Sequence, residues 1–218
     1  MSQLTNRTAV AALLVLAPTL EVVEQLLSPL TGASTRDDLE AVAGHQSVFA
    51  LSVLVGMAAT VLYIPAFVGL AARCVGRSPV AARVGAAIAV LSMAGFMGIR
   101  AIQAIELQTV RSGLPIGASA DLIDGVSTNP IGATLLVMFL GGSVIGMVAL
   151  GVACWRAGLP RPAVLLMACF PLVDLALPGH VGAVASHVVL LAGLAWIATS
   201  LTRGASRRAP NAVPSTAY

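Results

Sequence analysis

The sequence predicts an all-α protein, a polytopic membrane helix bundle with six transmembrane helices. Hydrophobic residues make up 58% of the 218 residues and charged residues only 10%, whereas soluble domains carry about a quarter charged residues. A helical span needs about 20 residues, so this length leaves room for about six spans with short loops. We expect one transmembrane domain over residues 1–202. Residues 203–218, basic and rich in Pro, Ala and Ser, are predicted to form a disordered cytoplasmic tail.

Apolar runs of helical length place the spans along the chain. Span one covers about residues 8–27, span two 47–71, span three 84–107, span four 130–155, span five 162–177 and span six 180–201. Pro65 is expected to kink span two, and span five is short for a full crossing. Polar loops are predicted between the spans, with Pro178 and Gly179 as the turn into span six. We expect span one to be retained, although Arg7 followed by an apolar run is also typical of a signal peptide.

The arginines predict the orientation of the spans. Loops after the even-numbered spans carry arginines and no acidic residue, whereas loops after the odd-numbered spans carry all the loop acids. Because arginine-rich loops stay in the cytoplasm, we expect both the N- and C-termini to be cytoplasmic. The net charge of +3 comes from these loop arginines, so it does not indicate a nucleic-acid partner.

The cysteines and some glycines are expected to pack the helices together. Cys74, Cys154 and Cys169 have no metal-ligand spacing and no place in an outer loop, so no disulfide framework is predicted. Gly142 and Gly146 form a GxxxG pair in span four, a pattern that brings two membrane helices into close contact.

A polar stripe on span one is the strongest indication of a functional site. Glu21, Glu24 and Gln25 are three or four residues apart and therefore share one helix face. A charged side chain at mid-bilayer costs about 2.5–3.5 kcal/mol on the insertion scale. These acids therefore need a partner, a water-filled pocket or a proton.

With the predicted orientation, the intramembrane polar residues all fall in the outer half of the bilayer. They are Glu21, Glu24, Gln25, Arg100, Gln103, Glu106, Asp174, His180 and His187. A path across the membrane needs polar groups in both halves, so the pattern favours a pocket over a channel. Arg100 is predicted either as the counter-ion of a glutamate or as an active residue, and Glu106 either as a site residue or as an interfacial one.

Four carboxyl groups share this level with one arginine. They cannot all be ionised at low cost, so at least one is expected to carry a proton at neutral pH. A neutral carboxylic acid beside an apolar cavity can protonate an alkene or epoxide, and aromatic rings can stabilise the resulting cation. The candidate acids are Glu21, Asp174, Glu24 and Glu106, and the candidate substrate-binding residues are Gln25, Arg100, Gln103, His180, His187, Phe49, Phe96, Phe139 and Phe170.

Neither a metal nor another cofactor is expected. His180 and His187 are seven residues apart on one helix and cannot ligate the same haem iron. Adding Asp174 matches no standard metal site. The absence of a DDxxD motif argues against a cyclase that ionises a diphosphate.

Two resemblances extend this prediction. The stretches RSPVAARVGAAIAV at span three and RAGLPRPAVLL before span five resemble small six-span bacterial membrane proteins of uncharacterised function, which implies the fold only. The size, span number and intramembrane acids also resemble small bacterial integral-membrane terpene cyclases that act on prenylated indole or diketopiperazine substrates. That resemblance implies acid-initiated cyclisation in the bacterial inner membrane, with Glu21 or Asp174 as the acid and Glu24 and Gln25 in support.

Two other functions stay open. Intramembrane carboxylates and histidines also serve proton-coupled carriers, although no internal repeat is visible. Six apolar spans would also suffice for an accessory subunit of another membrane protein. The expected partners are a lipophilic prenylated small molecule and membrane lipid, with no nucleic acid, and a homo-oligomer is left open.

Overall fold

The computed structural model describes residues 6–177 and 179–206, which form eight helices and no strand. The helices are α1 (Arg7–Leu27), α2 (Thr35–Gly44), α3 (Gln46–Cys74), α4 (Pro79–Arg111), α5 (Ile116–Thr128), α6 (Pro130–Arg156), α7 (Arg161–Ala176) and α8 (Gly179–Ser206). Five of them, α1, α3, α4, α6 and α8, are long and apolar enough to cross a membrane. These helices indicate a membrane protein and confirm the all-helical class.

The remaining apolar helix, α7, has 16 residues. It rises about 24 Å, less than the ~30 Å thickness of a bilayer's hydrocarbon core. It packs antiparallel to α8, since Asp174 near its end contacts Ser186 and Ala163 near its start lies against Gly193. A sixth crossing by α7 stays a prediction.

Two stretches for which the sequence predicts polar loops contain short helices, α2 and α5. Helix α2 buries Leu39 and Val42, and α5 buries Ile123. The two helices contact each other, with Thr35 Oγ1 donating to Asp124 Oδ1 at 2.6 Å. The loop prediction is wrong here. Each of these helices buries only two or three residues, so its sequence shows little of the apolar periodicity by which a helix is predicted.

Helices α2 and α5 cover one end of the bundle, which we call the capped end. Helices α1, α4 and α7 run towards it, and α3, α6 and α8 run away from it. The opposite end, which we call the arginine-rich end, carries no acidic residue in the described part of the chain. Its described arginines are Arg7, Arg73, Arg77, Arg83, Arg156, Arg161 and Arg203.

Glycines let α4 and α6 pack closely at the centre of the bundle. A Cβ atom added to Gly146 would lie 2.8 Å from the backbone nitrogen of Ala89, and one added to Gly142 would lie 2.8 Å from Cβ of Ser92. Gly95 of α4 is as close to the α6 backbone. The predicted role of the GxxxG pair in helix packing is therefore confirmed.

Two of the three cysteines pack between helices as the sequence predicts. Cys74 of α3 and Cys154 of α6 are buried, with their Sγ atoms 3.7 Å apart, and Cys169 is half-buried. All three are free thiols. Helix α3 continues through Pro65.

Helix α8 begins at Gly179, whose φ of +79° is a left-handed conformation that glycine adopts without strain. Pro178, the other residue of the predicted turn, lies outside the described residues. The helix ends at Ser206, past residue 203, where the sequence predicts a disordered tail. Residues 207–218 of that predicted tail also lie outside the described part.

Candidate functional site

The centre of the candidate site is Arg100 of α4, whose side chain is almost completely buried. Only 1% of the residue is exposed. The guanidinium group lies over Gly56 of α3, where an added Cβ would be 2.7 Å from both Cζ and Nε of the arginine. Glycine at this position thus provides the space in which a large charged side chain can lie inside the bundle.

Two glutamates of α1 form ion pairs with this arginine. Nη1 and Nη2 of Arg100 donate to Oε1 and Oε2 of Glu24 at 2.6 and 2.9 Å, and Nη2 also donates to Oε1 of Glu21. Gln103, one turn further along α4, accepts from Nη1 at 3.0 Å. Glu21 and Glu24 are themselves 0% and 1% exposed. The polar stripe of α1 therefore faces Arg100, as the counter-ion prediction requires.

Helix α8 adds His187 to the same group. Its Nδ1 donates to the carbonyl oxygen of Ala183 at 2.7 Å, since a carbonyl can only accept. Its Nε2 faces Oε1 of Glu21 at 3.8 Å. The other oxygen of Glu21, Oε2, makes no hydrogen bond to a described residue, although Gln25 is close enough to interact with that carboxylate. We call Glu21, Glu24, Arg100 and His187 the charged cluster.

Asp174 of α7 reaches the charged cluster through a serine. The hydroxyl of Ser186, which is fully buried, lies 3.2 Å from Oδ1 of Asp174 and 3.4 Å from Nδ1 of His187. It also lies 2.9 Å from the carbonyl oxygen of Ala183. Asp174 is half-buried, so this chain of polar groups leads from the cluster towards the side of the bundle formed by α7.

An aromatic cavity lies directly against the charged cluster on the side of the arginine-rich end. The aromatic cavity is lined by the rings of Tyr63, Phe67, Phe96, Phe139 and Phe170 together with Met93, Ser143, Met147, His187 and Leu190. Phe96 and Phe139 are stacked with their centroids 4.4 Å apart, and Cζ of Arg100 lies 4.6 Å from the Phe96 centroid.

The aromatic cavity is small but contains polar atoms. Its volume is about 20 Å³, enough for a single water molecule. The hydroxyl groups of Tyr63 and Ser143 are buried and make no hydrogen bond within the described part of the chain. They would offer a polar guest two hydrogen-bonding groups in an otherwise apolar space.

On the other side of the charged cluster, a polar pocket of about 190 Å³ opens at the capped end. We call this pocket the vestibule. Its polar lining residues include Glu24, Gln25, Asp38, Gln103 and His180. The charged cluster therefore separates the vestibule from the aromatic cavity.

Most of the predicted site residues meet in this region. The structure brings Glu21, Glu24, Arg100, Gln103 and His187 into contact. Asp174 joins them through Ser186, Gln25 and His180 line the vestibule, and Phe96, Phe139 and Phe170 line the aromatic cavity.

Two predicted site residues lie elsewhere. Glu106 lines a separate pocket of about 210 Å³ between α4 and α6, near Ser127 of α5. Phe49 is fully buried in a small apolar cluster with Val42 and Leu107. Neither residue belongs to the charged cluster, because a position along a helix does not determine the rotation of that helix about its axis.

Sequence reasoning missed the contribution of α3 to the site. Gly56, Tyr63 and Phe67 repeat at intervals of seven and four residues, which places them on one helix face. A phenol in the middle of an apolar span was the available signal, because its hydroxyl needs a partner.

The charged cluster brings together two carboxylates, one guanidinium and one imidazole. Nε2 of His187 and Oε1 of Glu21 lie 3.8 Å apart, beyond hydrogen-bond distance. No group of three or more His, Cys, Asp or Glu side chains among the described residues could hold a metal ion. Comparison of the chain with protein-family models, with curated proteins and with solved structures found no match.

Proposed function

We propose that this protein is a membrane-embedded terpene cyclase or isomerase whose charged cluster protonates a lipophilic prenylated substrate. The observation that carries the proposal is the position of His187. This residue pairs with Glu21 in the charged cluster and also lines the aromatic cavity. A proton held by the cluster would thus lie beside a guest in that cavity, and turning the His187 ring would bring it to the guest.

The charge balance of the cluster supports the presence of such a proton. With Glu21 and Glu24 ionised, Arg100 charged and His187 neutral, the cluster would carry one net negative charge. A net charge buried in a membrane protein is costly. One additional proton, shared between Glu21 and His187, removes that charge and supplies an acid beside the aromatic cavity.

The aromatic cavity supports the chemistry that would follow. The chain has five phenylalanines and two tyrosines, and five of these seven rings line the cavity. Protonation of an alkene gives a carbocation, which aromatic faces stabilise. The cation closes a ring by forming a carbon–carbon bond to a second alkene, and a base then takes up a proton, so the product is an isomer of the substrate.

A prenyl chain needs far more room than about 20 Å³, since ligand pockets usually exceed about 300 Å³. Met93 and Met147 line the cavity, and methionine side chains are flexible enough to change rotamer and make room. The proposal therefore requires that substrate binding opens the cavity between α4 and α6.

The proposed setting is a bacterial inner membrane. With α7 as a sixth crossing, the chain would place its arginine-rich end in the cytoplasm according to the positive-inside rule. The vestibule would then open towards the outer surface, and the lipophilic substrate would come from the bilayer itself. Membrane lipid is thus the medium and the prenylated molecule the specific partner.

A second candidate function is a proton-coupled carrier, which the vestibule favours. It leads from the capped end to Glu24, and the charged cluster closes it off from the aromatic cavity. A carrier that is open to one side only would have this arrangement, and opening of the Arg100 ion pairs would connect the two spaces.

The test is a product analysis with deuterium as a label. Membranes containing the protein are incubated in deuterated water with linear farnesylated indole or diketopiperazine substrates. The expected product is an isomer with changed retention that carries one deuterium, because the initiating proton exchanges with solvent. Folded wild-type protein that gives no isomer from any such substrate contradicts the cyclase and leaves the carrier.

Matched variants then identify the acid. Glu21→Gln and His187→Gln are expected to lower turnover at least about 100-fold, the usual contribution of a positioned acid. Glu106→Gln changes an acid of similar depth outside the charged cluster and is expected to keep full turnover. Equal losses in all three variants would show that the charged cluster has no special role.

A further inference from the structure

A second polar site lies at the arginine-rich end, far from the charged cluster. There, a pocket of about 330 Å³ is lined by Arg7 of α1, Arg73 of α3, Arg77 of the turn after α3, and Ser200 of α8. We call this site the arginine pocket. Three stretches that are distant in sequence thus bring three guanidinium groups and one hydroxyl group to the same concave surface.

The charges of the arginine pocket are of one sign. Arg7, Arg73 and Arg77 all line the pocket, and no acidic residue is among the described residues that line it. Arginines at one end are sufficient to orient a membrane protein wherever they lie at that end. Arg83 and Arg203, for example, are exposed there outside the pocket. Convergence on one pocket serves no such purpose, and it concentrates guanidinium donors where an anion can bind.

We propose that the arginine pocket binds a phosphate group. Guanidinium groups bind phosphate oxygens through pairs of parallel hydrogen bonds, which a lysine cannot reproduce. Ser200 adds a hydroxyl donor, and Leu159 and Leu201 add an apolar wall for the substituent of a phosphate ester. Basic pockets between membrane helices hold lipid headgroups in this way, and a soluble phosphate ester presents the same chemical group.

Direct binding to the purified, full-length protein tests this proposal. The probes are inorganic phosphate, short-chain phosphatidylglycerol and, as a zwitterionic control, short-chain phosphatidylcholine, each titrated by calorimetry in nonionic detergent. Binding of inorganic phosphate identifies a soluble source of the phosphate group. If phosphatidylglycerol binds but neither inorganic phosphate nor phosphatidylcholine does, the phosphate group belongs to a lipid headgroup. Failure of both anionic probes to bind the folded wild-type protein overturns the proposal.

Matched variants locate the bound phosphate. Arg7→Gln, Arg73→Gln and Arg77→Gln are each expected to weaken binding about tenfold or more, because each removes a hydrogen bond to a charged group. Arg83→Gln removes a charge at the same end outside the arginine pocket and is expected to leave affinity within about twofold. Rising potassium chloride should weaken binding to the wild-type protein, a readout that needs no variant. An equal loss in Arg83→Gln would overturn the assignment to the arginine pocket.

Discussion

Replacing Arg100 by methionine is expected to destabilise the protein more than any surface charge change. The guanidinium group donates four hydrogen bonds, two to Glu24 and one each to Glu21 and Gln103. Methionine keeps the apolar stem of the side chain but leaves two buried carboxylates without a counter-ion. Breaking a buried ion pair in this way costs about 3–5 kcal/mol, so the free energy of unfolding should fall by about that amount.

Reversible unfolding in mixed micelles, with a denaturing detergent as titrant and circular dichroism as the signal, measures this loss. The matched control is Arg36→Met, which breaks the ion pair between Arg36 and Glu40. The side chains of this pair are 69% and 55% exposed. An exposed pair contributes no more than about 1 kcal/mol. The reasoning is refuted if the Arg100 variant loses no more stability than the Arg36 variant.

A rescue experiment separates charge from packing. The triple variant Glu21→Gln/Glu24→Gln/Arg100→Met removes every formal charge of the ion pairs while keeping similar side-chain volumes. Because the triple variant leaves no buried charge without a counter-ion, it should regain part of the stability that Arg100→Met loses. A triple variant less stable than Arg100→Met would show that lost packing, and not uncompensated charge, causes the effect.

Two further predictions concern space and turn geometry. Gly56→Ala would bring a methyl group within 2.7 Å of the Arg100 guanidinium, so the free energy of unfolding should fall by about 1–3 kcal/mol in the same assay. A methyl group at Gly141 would meet nothing within 4 Å, so Gly141→Ala should not lower the free energy of unfolding. Oδ1 of Asp38 accepts three hydrogen bonds from Thr31 and Gly32 in the turn before α2. Asp38→Ala removes this acceptor and should lower the free energy of unfolding by about 1–2 kcal/mol, whereas Asp121→Ala, at an exposed position, should leave it unchanged. Equal effects of target and control in either pair would contradict these contacts.

The long helices and the ion pairs of Arg100 follow from simple sequence patterns. Apolar runs of span length predict the five long helices, and i, i+3 spacing places Glu21 and Glu24 on one face. Arg100 is the one arginine within an apolar run of the sequence, so these two glutamates are among the few partners that it can have. These predictions succeed because the energetic cost of an unpaired charge in a membrane leaves few alternatives.

The rest of the site depends on helix rotation, which composition cannot determine here. Helices α3 and α6 are apolar on all sides, so no amphipathic pattern shows which face points inward. For that reason Phe49 and Phe139 looked equivalent in sequence, whereas only Phe139 lines the aromatic cavity. Glu106 was assigned by depth alone and faces a different pocket.

The capping helices show a different limit of sequence reasoning. Helix α2 is only ten residues long and starts in a polar segment. Its stability comes from packing on the bundle and from the Thr35–Asp124 contact with α5, which joins residues far apart in sequence. A local sequence pattern cannot show a contact between residues so far apart, so it predicts a loop where α2 forms.

The most direct test of the account compares turnover of the wild-type protein with that of the charge-neutral triple variant Glu21→Gln/Glu24→Gln/Arg100→Met. Both are incubated with linear prenylated substrates in deuterated water after unfolding measurements have shown that they are equally folded. We predict a deuterium-labelled isomer from the wild-type protein and none from the triple variant. Equal product from both, or none from the wild-type protein, would contradict the claim that the charged cluster supplies the proton.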